Sequence, residues 1–480
     1  MRKNILLLTD VYKLGHMNQY NPDVVNIYSY LEARKPNIDT VFFGLQYLLK
    51  EYLENYVVTH EDVDEVIKYR SMILGSTPKE IEDKYRALAN LGYLPIKIKA
   101  IKEGSIVSSK NLLLSITNTV DGFHWLVGYL ESFLLKLWNT NTVASCSLKY
   151  RKLVESYAET TCDNKEHIPF QVHDFGYRGV SSEETAAMSG AAHLLAFLGS
   201  DTIPAVKLLD KYYGSSNVIG CSVPASEHSV MCSFGKENEL NAFKHMLDTH
   251  SEGIVSIVSD TYDYYNVLTS FLPELKEQIL SRNGKVVIRP DSCLKTQVEL
   301  ICGDPNGTTE AERKGSLQLL WEVFGGTTNS KGYKVLNDKI GLIYGDGFFY
   351  ERFVDVLSEM TKKGWATSNL TIGVGGILLQ NHSRDEQGYA LKATKATLKN
   401  GQKISLFKEP KTDVSKKSLK GYLALKKDDN GKYYTLNDVG ENIERDENLL
   451  DTVFEDGKLL IDYTLDDVRE NFEKHFKELC

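Results

Sequence analysis

The stretch FQVHDFGYRG, residues 170–179, reads as a short apolar strand that runs straight into a polar, glycine-containing turn. The same grammar recurs along the chain. SDTIPAV (200–206), GCSVPASEHS (220–229), GIVSIVSDTYD (253–263), KVVIRPDS (285–292), IGLIYGDG (340–347) and LTIGVGG (370–376) all follow it. Helical stretches lie between several of them, as in EETAAMSGAAHLLAFLG (183–199) and KENELNAFKHML (236–247). Strand, turn and helix in repetition predict an α/β barrel. In such barrels the chemistry gathers at the C-terminal ends of the strands. Polar residues stand at those ends here: Asp174, Asp201, Glu227 with His228, Asp260, Arg289 with Asp291, and Asp346.

Outside this region the pattern changes. EDVDEVIKYRSMIL (61–74) has helical spacing, while LPIKIKAI (94–101) and NLLLSIT (111–117) read as strands. WLVGYLESFLLKLW (125–138) predicts one buried helix. Near the end, YLALKKDDNGKYYTL (422–436) predicts a hairpin turning at Asn430-Gly431. TLDDVRENFEKHFKEL (464–479) predicts an amphipathic helix opened by a Thr464/Asp467 capping box. The lysine-rich 408–421 segment reads as a solvated loop. The expected organisation is an α+β domain begun by 1–165 and completed by 381–480, around a barrel at 166–380.

Composition excludes several classes. The 480 residues are 42% hydrophobic and 25% charged, the balance of a globular protein, and too many for one simple core. A net charge of −9 argues against nucleic-acid binding. The apolar run Ile5–Leu8 is too short for an export signal, and no stretch nears a membrane span, so a cytoplasmic protein is expected. Seven scattered cysteines without a CxxC pair fit reduced thiols. HExxH, a GxSxG elbow and a GxGxxG fingerprint are all absent from the sequence. A glycosidase has little use for clustered anion binders.

What remains is a phosphate-handling inventory. In HDFGYRG, Phe175 offers a face for a flat ring and Arg178 a fork for phosphate oxygens. In IRPDS, Arg289 and Asp291 are two apart and project to one strand face, a pairing that can hold a phosphate and, through it, a metal. YGDG and GVGG supply glycine turns for close backbone approach, and Asp346 can hold ribose hydroxyls. Asp260 can orient a histidine or hold a magnesium-bound pyrophosphate, whereas Asp263 reads as a helix cap. The combination fits transfer at a phosphorylated sugar.

HDFGYRGVSS, GSDT, SVPASEHS, VSDTYD, IRPDS, GDG and GVGGILLQ…RD resemble, in this order, the nicotinamide phosphoribosyltransferase family of type II phosphoribosyltransferases. The resemblance covers nearly the whole chain. It implies an irregular α/β barrel with a second α+β domain, and transfer of phosphoribosyl from 5-phosphoribosyl 1-pyrophosphate to nicotinamide. It further implies magnesium, ATP as co-substrate and a homodimer with shared active sites. Phe175 and the partner's Tyr12 would sandwich the ring. Arg178, Arg289, Ser256, Gly345, Asp346, Gly375 and Gly376 would bind substrate. Arg34, Arg384 and Lys392 would bind phosphate across the dimer. Asp260 and Asp291 would serve the magnesium region, and His228 would be the histidine phosphorylated by ATP, with either Asp260 or Glu227 orienting it.

Asp201 would accept a hydrogen bond from the carboxamide, and a carboxylate there disfavours nicotinate or quinolinate. The alternatives are a nicotinate phosphoribosyltransferase of similar fold and a catalytically silent binding protein. Cys293, Val374 and Ala390 depart from the family's pattern.

Overall fold

Five of the apolar runs form parallel strands: β1 (Val172–Asp174), β2 (Glu252–Val258), β3 (Asn283–Arg289), β4 (Ile340–Tyr344) and β5 (Leu370–Val374). Their order in the sheet is β1-β5-β4-β3-β2. Val374 lies opposite Asp174, Leu342 opposite both Leu370 and Ile288, and Val258 opposite Arg289. The computed structural model describes residues 3–345, 347–408 and 418–479.

The two remaining runs make no regular strand. They contribute single parallel bridges, Asp174 to Ser200, Gly199 to Cys221 and Ala225 to Ser256, which lead from β1 round to β2. Pro224 explains part of this irregularity. It has no N–H for a ladder, and only its carbonyl takes part, accepting from Ser256 N at 2.9 Å. The result is the irregular α/β barrel expected. Val172, Val255, Ile257, Val286, Ile288, Leu342, Ile372 and Val374 are each at most 2% exposed, as buried parallel strands require.

Helices Glu183–His193, Glu239–Thr249, Glu310–Phe324 and Tyr350–Lys362 fall between the strands. Tyr350–Lys362 buries Phe353, Val356, Leu357 and Met360, one face of a 3.6-residue period. The first helix stops at His193, short of the expected 199, because Gly199 and Ser200 are spent on the bridges.

This barrel is one of two units, Cys146–Lys207 with Val218–Asn381. The other gathers Met1–Ser145, Leu208–Asn217 and His382–Cys480. The division at 145/146 falls inside helix Leu137–Thr161, whereas the change in sequence pattern predicts one at 165/166. The second unit holds a seven-stranded antiparallel sheet. Its order is Lys403–Ser405, Tyr389–Leu398, Val24–Ala33, Leu114–Asn118, Ile96–Ala100, Asp451–Glu455, Lys458–Leu459. Both chain ends therefore contribute to one sheet.

Ile96, Ile98 and Ala100 are buried, alternating with half-buried Lys97 and Lys99. The hairpin Tyr422–Lys427/Tyr433–Val439 and the helix Leu465–Leu479 form where expected. The Thr464/Asp467 box is made in both directions, at 2.9 and 3.1 Å. The expected 125–138 helix is broken instead into Trp125–Tyr129, Glu131–Leu134 and the start of Leu137–Thr161, with Leu130 at ψ −3°. Residues 409–417 of the lysine-rich loop, and Asp346, lie outside the described residues. Among the described residues, no helix is long and apolar enough to cross a membrane.

Candidate active site

The C-terminal ends of β1, β3, β4 and β5 open on a cavity of about 780 Å³. Phe175, Arg178, Asp201, Arg289, Asp291, Gly345, Gly375 and Gly376 line it, together with Tyr177, Phe348, Phe349 and Ile377. Phe175, Gly345 and Gly375 sit just past their strands, Arg289 ends β3 and Asp201 follows the bridge at Ser200, all at the carbonyl end of the parallel barrel. Phe175 continues β1, its N–H donating to Val374 O at 2.9 Å. Its ring lies over Gly373, where an added Cβ would come within 2.1 Å of the ring. Only glycine there lets the ring lie flat against the strand.

Asp201 reaches the cavity from the first bridging segment. Its Oδ1 lies 3.0 Å from His173 Nε2 and also accepts the Ser222 hydroxyl. Burial pushes its pKa up, but the hydrogen bonds from His173 and Ser222 and the charge of Arg289 outweigh that and hold it below the usual range. The group is thus an anion in a cavity that also presents Arg178, Arg289 and the Asp291 carboxylate.

Arg289 closes β3. Its Nη2 donates to Ser226 O at 2.6 Å, and its Nε lies 3.5 Å from Asp291 Oδ1. That Nε is buried, has no hydrogen-bond partner among the described residues, and faces the Asp291 carboxylate as an ion pair. Arg178 is exposed on the 3₁₀ turn Tyr177–Gly179, three residues beyond Phe175.

A second cluster adjoins the first. His228 Nε2 lies 3.1 Å from Asp260 Oδ1, and the Asp260 side chain is only 4% exposed. Asp260 Oδ2 accepts from Asp291 N at 2.9 Å and from Ser292 Oγ at 2.6 Å, which ties the two clusters together. Glu227 bonds instead to Ser229. Of the two carboxylates expected as candidates for orienting His228, the structure therefore brings Asp260 to the ring and turns Glu227 away. His228 opens the short helix His228–Cys232, with Glu227 as its N-cap residue. Ser256 is buried on β2, and its hydroxyl has no hydrogen-bond partner among the described residues.

For magnesium the two carboxylates differ. Asp260 is enclosed and already accepts three contacts, which does not suit a direct ligand. Asp291 is 30% exposed and lines the cavity. Among the described residues no third carboxylate, cysteine or histidine joins them in a preformed cluster. A partly exposed carboxylate at the cavity, paired with Arg289, fits a magnesium carried mainly by a substrate's phosphates.

Tyr12, Arg34, Arg384 and Lys392 belong to the other unit. Tyr12 is 60% exposed. Arg34 is exposed, with Nε 3.3 Å from Gly388 O, and Arg384 pairs with Asp385. Lys392 is held below the ordinary lysine value, chiefly by burial; Glu131 opposes this, and the cations Arg34, Lys408 and Lys13 reinforce it. These cations form a local positive field suited to phosphate.

Sequence reasoning missed His173, Ser222 and Ser292. His173 had a signal: it stands two residues before Phe175, so strand alternation puts it on the same face. Ser222 and Ser292 had none, because their partners lie 21 and 32 residues away.

The chain matches the profile of the nicotinate phosphoribosyltransferase (NAPRTase) family over residues 170–458. It matches the nicotinamide phosphoribosyltransferase N-terminal domain over 4–98. It is 39% identical to the nicotinamide phosphoribosyltransferase of Acinetobacter baylyi, covering 99% of this chain and 98% of that one. It is 39% identical to that of Xanthomonas campestris, with 97% of each covered. Among solved structures it resembles nicotinate-nucleotide pyrophosphorylase from Pyrococcus furiosus, with TM-score 0.60, 15% identity and 99% and 96% of the two chains covered. It also resembles human nicotinic acid phosphoribosyltransferase, with TM-score 0.56, 14% identity and 99% and 94% covered. These two likenesses concern the fold.

Proposed function

The chain belongs to the nicotinate phosphoribosyltransferase family, and we propose, from that premise, that it is the member acting on nicotinamide. It transfers phosphoribosyl from 5-phosphoribosyl 1-pyrophosphate to nicotinamide, releasing nicotinamide mononucleotide and pyrophosphate. The observation that carries the substrate choice is the ionised Asp201 in the Phe175 cavity. Its carboxylate accepts from a carboxamide NH2 and repels the carboxylate of nicotinate.

The ring nitrogen of nicotinamide attacks C1 of the ribose. The new N–C1 bond takes the nitrogen lone pair, and the C1–O bond breaks with its electrons leaving on pyrophosphate. No general base is needed, since the attacking nitrogen carries no proton. Phe175 orients the ring, and Asp201 fixes its amide edge. Arg289 and Arg178, which line the cavity, stabilise the charge that develops on pyrophosphate, the main electrostatic term. Asp291 would hold magnesium through that pyrophosphate, and the bound ion would add positive charge there. Gly345, Gly375 and Gly376 let backbone approach the substrate closely.

His228 is the acceptor for ATP. With Nε2–H held by Asp260, Nδ1 presents its lone pair to the γ-phosphorus. A P–Nδ1 bond forms as the bond from the γ-phosphorus to the ADP oxygen breaks and ADP leaves; water then cleaves the P–Nδ1 bond and releases phosphate, completing the ATP hydrolysis that is coupled to transfer. In a homodimer, a second copy supplies Tyr12, Arg34, Arg384 and Lys392 to each site, and the protein works in the cytoplasm.

One assay matrix tests this. Purified protein receives 5-phosphoribosyl 1-pyrophosphate and magnesium with nicotinamide, nicotinate or quinolinate, with and without ATP. Mononucleotide and pyrophosphate are measured. Preference for nicotinate would overturn the substrate reading, and absence of product with all three would favour a silent binding protein.

A further inference from the structure

The proposed function makes Asp201 the residue that meets the carboxamide. The structure also shows how that carboxylate is held. Among the described residues its hydrogen bonds fall on Oδ1, from His173 Nε2 at 3.0 Å and from the Ser222 hydroxyl. An ionised carboxylate has two oxygens, and two donors on one leave Oδ2 of this cavity-lining, 47% exposed side chain to accept from a ligand.

His173 is well placed for this duty. It is 9% exposed and lies on β1, opposite Gly373. Its ring centroid is 4.8 Å from that of Phe175, so one side chain backs the stacking ring and grips the amide acceptor. The chain makes room for it at Gly199, where a Cβ would come within 2.6 Å of His173 Nδ1. Because a carboxylate only accepts, Nε2 must carry the proton, and the imidazole acts as a fixed donor.

We infer that His173 is the positioning residue that sets the choice between amide and acid, by holding Asp201 with one oxygen filled and the other facing the cavity. The inference rests on the proposed function. Its rival is a merely structural histidine that fills space behind Phe175. Ser222 is the second donor and softens the loss of His173 without replacing its rigid geometry.

The test uses the full-length protein with saturating 5-phosphoribosyl 1-pyrophosphate and magnesium, and wild type is run alongside. His173→Leu removes the donor at similar volume, and His173→Gln returns an N–H near the Nε2 position. In His173→Leu the KM for nicotinamide should rise about tenfold or more, the effect of losing one hydrogen bond to a charged group. Its kcat should stay within about threefold, and the nicotinamide-to-nicotinate ratio of kcat/KM should fall about tenfold. His173→Gln should recover most of that ratio.

A His173→Leu ratio within about twofold of wild type overturns the inference, as does a His173→Gln that loses as much as His173→Leu. If His173→Leu folds poorly, His173→Phe is read by the same criteria. A wild type that makes no nicotinamide mononucleotide sinks the function itself, a result separate from either variant's.

Discussion

Asp260 Oδ1 sits 3.1 Å from His228 Nε2, although 32 residues separate the two in the chain. Glu227, the sequence neighbour, is the N-cap residue of the helix that His228 opens, and its carboxylate takes the Ser229 hydroxyl. Asp260→Asn should therefore lower phosphorylation of the protein by labelled ATP at least about tenfold, since an amide cannot fix and balance the imidazole as a carboxylate does. Glu227→Gln should leave it within about twofold. Acid-labile label on the protein is the readout, and equal loss in both variants would contradict the pairing.

Asp201 sets the second expectation. Two like charges about 4 Å apart at an effective dielectric near 20 repel by roughly 4 kcal/mol. The Asp201 side chain is 47% exposed, so solvent screening reduces this. Asp201→Ser should narrow the nicotinamide preference by about tenfold or more in kcat/KM. An unchanged ratio would remove Asp201 from the specificity argument.

Gly373→Ala would drive a methyl to within 2.1 Å of the Phe175 ring. The ring must leave its position on the strand, at a cost of about 1–3 kcal/mol for overpacking. The KM for nicotinamide should rise by about an order of magnitude while Tm falls by a few degrees. A variant with wild-type KM would show that the ring's seat on Gly373 is unimportant.

His193 gives the barrel one buried source of acid sensitivity. It is fully buried, with Nδ1 at 3.0 Å from Ser147 Oγ and Nε2 at 3.2 Å from Val172 O. Burial, opposed by the charge of Asp174, lowers its pKa to about 4. The unfolded chain binds that proton near pH 6.5, so the group's contribution is fully present above that value. It is lost as pH falls from there toward 4, and amounts to about 3 kcal/mol. Denaturant melts at pH 7 and pH 5 should show wild type losing more stability than His193→Gln. A parallel loss in both would place the acid sensitivity elsewhere.

Much of the barrel was legible because its signal is local. Apolar runs bounded by Gly, Asp and Ser mark strand ends, and of the polar residues expected at those ends Asp201, Arg289 and Asp291 line the cavity, while Asp174, Glu227, His228 and Asp260 are not among its lining residues. The 125–138 segment was misread as one helix, since hydrophobic periodicity says nothing about a ψ near zero at Leu130. The boundary at 145/146 was hidden inside a continuous helix.

The sequence by itself determined the strand–turn–helix order, the chemical type of each strand end and the capping box at Thr464, all consequences of neighbours within a few residues. The tertiary structure decided which groups meet. It paired His228 with Asp260 rather than Glu227, gave Asp201 the donors His173 and Ser222, and reduced two of the runs to single bridges. Those pairings join residues 21 to 32 positions apart, and barrel closure and register bring them together. A hydrogen bond needs its partners within about 3 Å, a condition that only the folded ring of strands imposes.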